Sequence, residues 1–145
     1  MLSSLDSRFV WAPLLLGLAI AAGCHRDGLN RAEVHGNVTL DGKPVEQGSI
    51  HFVPIQGTPG PAVGGEIRNG QYRLAGDKGP MVGWNRVEVH ASQKTGRRIP
   101  KGRGLNGETV DEMVEGVAAK YNTGSTLKVE IRSGDNTADF AVESK

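Results

Sequence analysis

Val34–Pro54 reads VHGNVTLDGKPVEQGSIHFVP, and this stretch decides the fold. Val34, Val38 and Leu40 share one face with Gly36, while His35, Asn37 and Thr39 take the other. That period of two describes a strand with one buried face. Asp41-Gly42 is a strong turn dipeptide because glycine accepts positive φ. Pro44 has no N–H for a ladder, so it belongs at a corner or edge. Ile50 and Phe52 then restart the alternation.

Outward from this stretch, the same pattern recurs five more times. Predicted strand A is 33–40 and B is 48–54. C is 62–68, with Val63 and Ile67 inward and a break marked by Gly64-Gly65. Asn69-Gly70 is a strong hairpin signal, and D follows as 71–75 with Tyr72 and Leu74 inward. E is 84–92, F is 126–132 and G is 137–143, each with alternating apolar residues. A single sheet with one face exposed cannot bury one apolar residue in two. The sequence therefore predicts an all-β, seven-stranded antiparallel sandwich of two facing sheets.

Residues 93–124 form a long insertion between E and F. Its first half, KTGRRIPKGRG, gathers Arg97, Arg98, Lys101 and Arg103. This basic cluster is the candidate contact for a carbohydrate or polyanion. Its second half, ETVDEMVEGVAAKY, predicts a short helix. Thr109 and Glu112 have capping-box spacing, and Val110, Met113, Val114 and Val117 recur at helical intervals. Glu108, Asp111, Glu112 and Glu115 partly neutralise the bases.

The remaining chain bounds the function. Its 145 residues suit one domain, and 21 glycines with seven prolines favour short strands and tight turns. A formal charge of +1 excludes a strong field for nucleic acid. A single cysteine, Cys24, excludes an intramolecular disulfide framework. Phe9–Ile20 is a 12-residue apolar run, the length of a signal h-region and short of a bilayer span. Ala21, Ala22 and Gly23 follow, then Cys24.

That ending resembles the bacterial lipoprotein signal, in which small residues precede an acceptor cysteine. Ala21 stands where Leu is usual. The resemblance implies cleavage between Gly23 and Cys24 and a diacylglyceryl group on the Cys24 sulfur. Each buried methylene contributes about 0.8 kcal/mol, so two or three acyl chains anchor stably. The alternatives are an ordinary secretory signal cut after Ala22 or Gly23, or an uncleaved anchor. His25, rather than Asp, follows Cys24, which points to the outer membrane, facing the periplasm. The expected organisation is a signal at 1–23, a polar tether at 24–32 and a β domain at 33–145.

GNVTLDGKPVEQGSIHFVP looks like the opening of carboxypeptidase-regulatory-like domains of the transthyretin-like, or prealbumin-like, superfamily. Gly36, Val38, Gly42, Pro44, Val45, Gly48 and Phe52 carry the match, with Gly65, Gly70 and Tyr72 at the later hairpin. The ending KYNTGSTLKVEIRSGDNTADFAV is similar to that of short planctomycete-type envelope lipoproteins, through Lys120, Tyr121, Asn122, Ser125, Leu127, Gly134, Asn136 and Phe140. The resemblance implies a transthyretin-like sandwich and an envelope location. It implies no catalytic activity, and the partner it leaves open is an envelope protein or glycan. Transthyretin-like hydrolases end in Tyr-Arg-Gly-Ser, whereas this chain ends in DFAVESK.

No enzyme chemistry, cofactor or metal site is expected. The serines lack a G-x-S-x-G setting and no H-E-x-x-H occurs. His35, His51 and His90 all fall on outward faces. A flat A–B hairpin would oppose His35 and His51, but the transthyretin-like topology sends A and B to different sheets. Asp135, Asn136 and Asp139 read as turn chemistry, being too few for a calcium shell. Tyr72 and Trp84 are the remaining sugar-stacking candidates, read instead as core or sheet-end residues.

Overall fold

The computed structural model describes residues 28–102 and 107–145. The leader, Gly23, Cys24 and Arg103 lie outside the described residues. Ten strands account for the fold: β1 (Glu33–Leu40), β2 (Lys43–Pro44), β3 (Gln47–Pro54), β4 (Val63–Arg68), β5 (Gln71–Leu74), β6 (Gly83–Pro100), β7 (Thr109–Glu115), β8 (Lys128–Ile131), β9 (Asp135–Thr137) and β10 (Phe140–Val142). The described residues contain no α-helix, only 3-10 turns at Gly76–Lys78 and Ala119–Tyr121.

The strands hydrogen-bond in one path, β10-β1-β5-β4-β3-β6-β7, with β2 and β9 also along β1 and β8 along β6. The path curls around one core. β1 makes the corner. Its first half pairs with β5 and β9, and its second half with β2 and β10. The opening stretch shows how. Asp41 and Gly42 adopt φ of 50° and 78°, which folds β2 back on β1. Val45 and Glu46 then accept the N–H groups of Gly70 and Asn69, so β3 starts with two strands, β5 and β4, between it and β1.

The alternating residues bury as their spacing demands. Val34, Val38, Ile50, Phe52, Ile67, Val87 and Val89 have no exposed surface. Phe52, Tyr72 and Phe140 form an aromatic triangle with centroids 6.0–6.4 Å apart, a spacing that favours tilted and edge contacts. The Tyr72 hydroxyl donates to Ala138 O at 2.7 Å, and burial pushes its pKa far up. Gly36 explains its own presence: a Cβ there would sit 1.9 Å from the Ala138 carbonyl oxygen. The chain between β9 and β10 crosses β1 at that point.

Four expectations need correction. The seven strands become ten, because the last one splits around Ala138-Asp139, the corner adds β2 and the insertion adds β7. The pairing is antiparallel except where β1 meets β9 and β10, which run parallel to it. The expected fifth strand continues for 18 residues, to Pro100. In place of the short helix expected within Glu108–Tyr121, Thr109–Glu115 form a strand, β7, which pairs with β6 from Ser92↔Glu115 to Pro100↔Thr109. Cross-strand contacts to the basic segment override its helical spacing. The insertion is thus a β-ribbon. Asn30–Ala32, counted with the tether, pack on the body through Ala32 N–H to Pro80 O and Val82 N–H to Asn30 O.

Candidate functional site

The described bases of the insertion's cluster, Arg97, Arg98 and Lys101, lie along the ribbon, and their charges are matched across it. Arg97 meets Glu112 at 2.6 Å, Lys101 meets Glu108 at 3.2 Å and Arg98 stands 3.7 Å from Asp111. Lys94 also pairs with Asp111, at 2.9 Å. Lys94 holds the Asp111 carboxyl below its usual range, and Arg97 with Thr95 does the same to Glu112. A polyanion would have to compete with every one of these pairs. The ribbon also exposes Ile99, Val110, Met113 and Val114.

The ribbon joins the body at a carboxylate corner. Glu115 Oε1 accepts the N–H groups of Ala91 and Val117, and Oε2 lies 2.8 Å from His90 Nδ1. Burial pushes the Glu115 carboxyl up, but these donors outweigh it and hold it below its ordinary value. His51 lies edge-on to His90 with centroids 5.9 Å apart. β3 and β6 are neighbours, which brings together two histidines 39 positions apart in sequence.

A groove of about 830 Å³ runs over the outer face of β1, β5 and β4. Its origin is local. The β4–β5 ladder stops after Arg68↔Gln71, and Gly64 and Gly65 place no side chains in the space beyond. His35, Asn37, Arg68, Arg73 and Lys78 border it. At one end, alternation along β1 puts Glu33 and His35 on the same side, and the parallel register sets Asp135 beside Glu33 and Thr137 beside His35. One ligating atom from each of Glu33, His35 and Asp135 lies within 4.8 Å of the others. His35 Nδ1 is 3.1 Å from Asp135 Oδ1, and Nε2 is 3.2 Å from Thr137 Oγ1. Arg73 pairs with Glu33.

His35 and His51 are not brought together, since β5 and β4 stand between their strands. Asn136 serves the turn: its Nδ2 donates to the carbonyls of Glu33, Arg132 and Gly134. Asp139 Oδ1 accepts from Asn37 N and Nδ2. Tyr72 is buried in the core, while Trp84 is 41% exposed on β6 beside β8, so the two make no shared platform. Sequence reasoning missed the convergence of Glu33, His35 and Asp135. The alternation marks the first two as neighbours, but no local signal announces that residue 135 returns to the same edge. No family model, characterised protein or solved structure matches this chain.

Proposed function

We propose that this chain is a lipid-anchored protein of the cell envelope, held through Cys24 in the outer membrane with its β body facing the periplasm. The body is read as a carboxypeptidase-regulatory-like module, a transthyretin-like sandwich elaborated by the β6–β7 ribbon. Its role is non-enzymatic: a structural or interaction module whose partner is an envelope protein or glycan, not nucleic acid.

One observation carries this reading. Cys24 follows Ala-Ala-Gly after a short apolar run, and it lies nine positions ahead of β1. At ~3.3–3.6 Å per residue that spacer reaches roughly 30 Å at full extension. Asn30–Ala32 pack on the body, so the working reach is shorter still. A lipid on Cys24 would hold the body close to the membrane and leave the ribbon as its longest projection.

Labelling with a radioactive fatty acid tests the anchor. The label should travel with the processed chain and vanish in Cys24→Ser. An unlabelled chain, or label that persists in the variant, would sink the proposal. The carbohydrate- or polyanion-binding alternative through Arg97, Arg98, Lys101 and Arg103 is the weaker one, because the first three of those cations face acidic partners. The hydrolase alternative has no support in the arrangement of residues described above.

A further inference from the structure

We propose that Glu33, His35 and Asp135 form a binding site for a divalent transition-metal ion, of which Zn2+ is the type, at the end of the outer groove. This departs from the expectation that the chain holds no metal. The site is built by topology. An extended strand points residues two apart to the same side, so Glu33 and His35 project together. The parallel partner β9 sets Asp135 directly beside Glu33.

The geometry is near what an ion needs. A tetrahedral zinc with bonds of about 2.0–2.1 Å sets its ligands roughly 3.3–3.5 Å apart. His35 Nδ1 and Asp135 Oδ1 are already 3.1 Å apart, and the three ligating atoms all fall within 4.8 Å. Glu33, His35 and Asp135 have side-chain exposures of 27%, 38% and 64%, so small rotations close the remainder without disturbing the core.

The second shell is also present. A ligating imidazole usually gives its other ring N–H to an oxygen, which fixes the tautomer and the ring plane. Thr137 Oγ1 stands 3.2 Å from His35 Nε2, where it would accept the Nε2 proton once Nδ1 is bare toward the ion. Asn136 Nδ2 ties β9 to β1 through Glu33 O. Arg73 is the competing cation, paired with Glu33. A carboxylate has two oxygens, so this pair and a metal bond coexist. One imidazole with two carboxylates suits zinc better than calcium or magnesium, which take oxygen shells of six or more. His35 also borders the groove, so the fourth position opens onto that space.

The test is calorimetric titration of ZnCl2 into the full chain carrying Cys24→Ser, which removes the one thiol that would compete for zinc. The expected result is one saturable site, with no saturable heat from CaCl2 or MgCl2. His35→Ala should abolish the binding. Asp135→Asn, at an exposed position that leaves the fold intact, should weaken it at least tenfold. Thr137→Val should weaken it about tenfold through the second shell alone. Far-UV circular dichroism without metal reports whether each variant keeps the fold. No saturable zinc binding, zinc binding unchanged in Asp135→Asn, or binding lost in His90→Ala but kept in His35→Ala would each overturn the site.

Discussion

The two halves of β6 obey different physics. From Asn85 to Ala91 the strand alternates, with Asn85, Val87, Val89 and Ala91 buried. From Ser92 to Pro100 every residue is exposed. The first half pairs with β3 and β8, and its Val87, Val89 and Ala91 belong to the same buried cluster as Phe52 and Tyr72. The second half has one partner, β7, and its side chains meet it through ion pairs whose bases are exposed and whose acids are exposed or half-buried. Burial of apolar surface stabilises the first half, at ~25 cal/mol per Å². Exposed ion pairs are individually weak and are screened by salt. One strand thus belongs to both a cooperative body and a projecting ribbon that can loosen by itself.

The largest effect expected from this contrast is in the body. Phe52 is fully buried and forms one corner of the aromatic triangle. Phe52→Ala should cost about 3–5 kcal/mol, from lost transfer energy and the cavity left behind. Val114→Ala, on the exposed ribbon, should stay within about 0.5 kcal/mol. Urea unfolding of both variants measures the difference. Equal losses would mean that the ribbon is part of the cooperative core.

The same contrast explains what was legible in the sequence. Where a residue's partner is solvent or core, alternation alone suffices, and Glu33–Leu40 comes out with its ends correct. Tyr72 inward and the three outward histidines follow from the same rule. Where the partner is another strand's charge, local spacing misleads. Val110, Met113, Val114 and Val117 fit a helix. They also fit a strand that sets Glu112 against Arg97 and Asp111 against Lys94, and only the second arrangement gives those acids their bases. Val117 is indeed buried, but through an isolated bridge to Ser144 near the chain's end. Strand pairing over a hundred positions, which unites His35 with Asp135, leaves no periodic trace at either end.

The junction between the two regions should show an intermediate effect. Glu115 satisfies two backbone N–H groups and His90 where the ribbon leaves the body. Glu115→Ala strands those donors and should cost about 1–3 kcal/mol. The pH dependence has a definite sign. The folded-state pKa of Glu115 is lowered, so its stabilisation is present above the unfolded value and is lost as pH falls through the folded one. A stability profile of the wild type should therefore fall below the ordinary carboxylate range, and that part of the slope should be missing in Glu115→Ala. A slope identical in both would show that the corner carries none of it.

The smallest effect, and the most selective, concerns the ribbon's own ion pairs. At 1 M salt the Debye length is roughly 3 Å, so exposed pairs such as Lys94–Asp111 and Arg97–Glu112 are largely screened. Amide exchange of Gln93–Ile99 and Val110–Val114 should then speed up a few-fold, while that of Val87 and Val89 stays unchanged. Acid should act on the same amides. Lys94 depresses Asp111, and Arg97 with Thr95 depresses Glu112, so the ribbon keeps its pairs until pH falls through those lowered values. Screening and protonation remove the same attraction by different routes, whereas loss of apolar packing responds to neither. If high salt left ribbon exchange untouched while Val114→Ala accelerated it, the ribbon would be held by its exposed apolar residues, and the division of β6 into two physical regimes would fail.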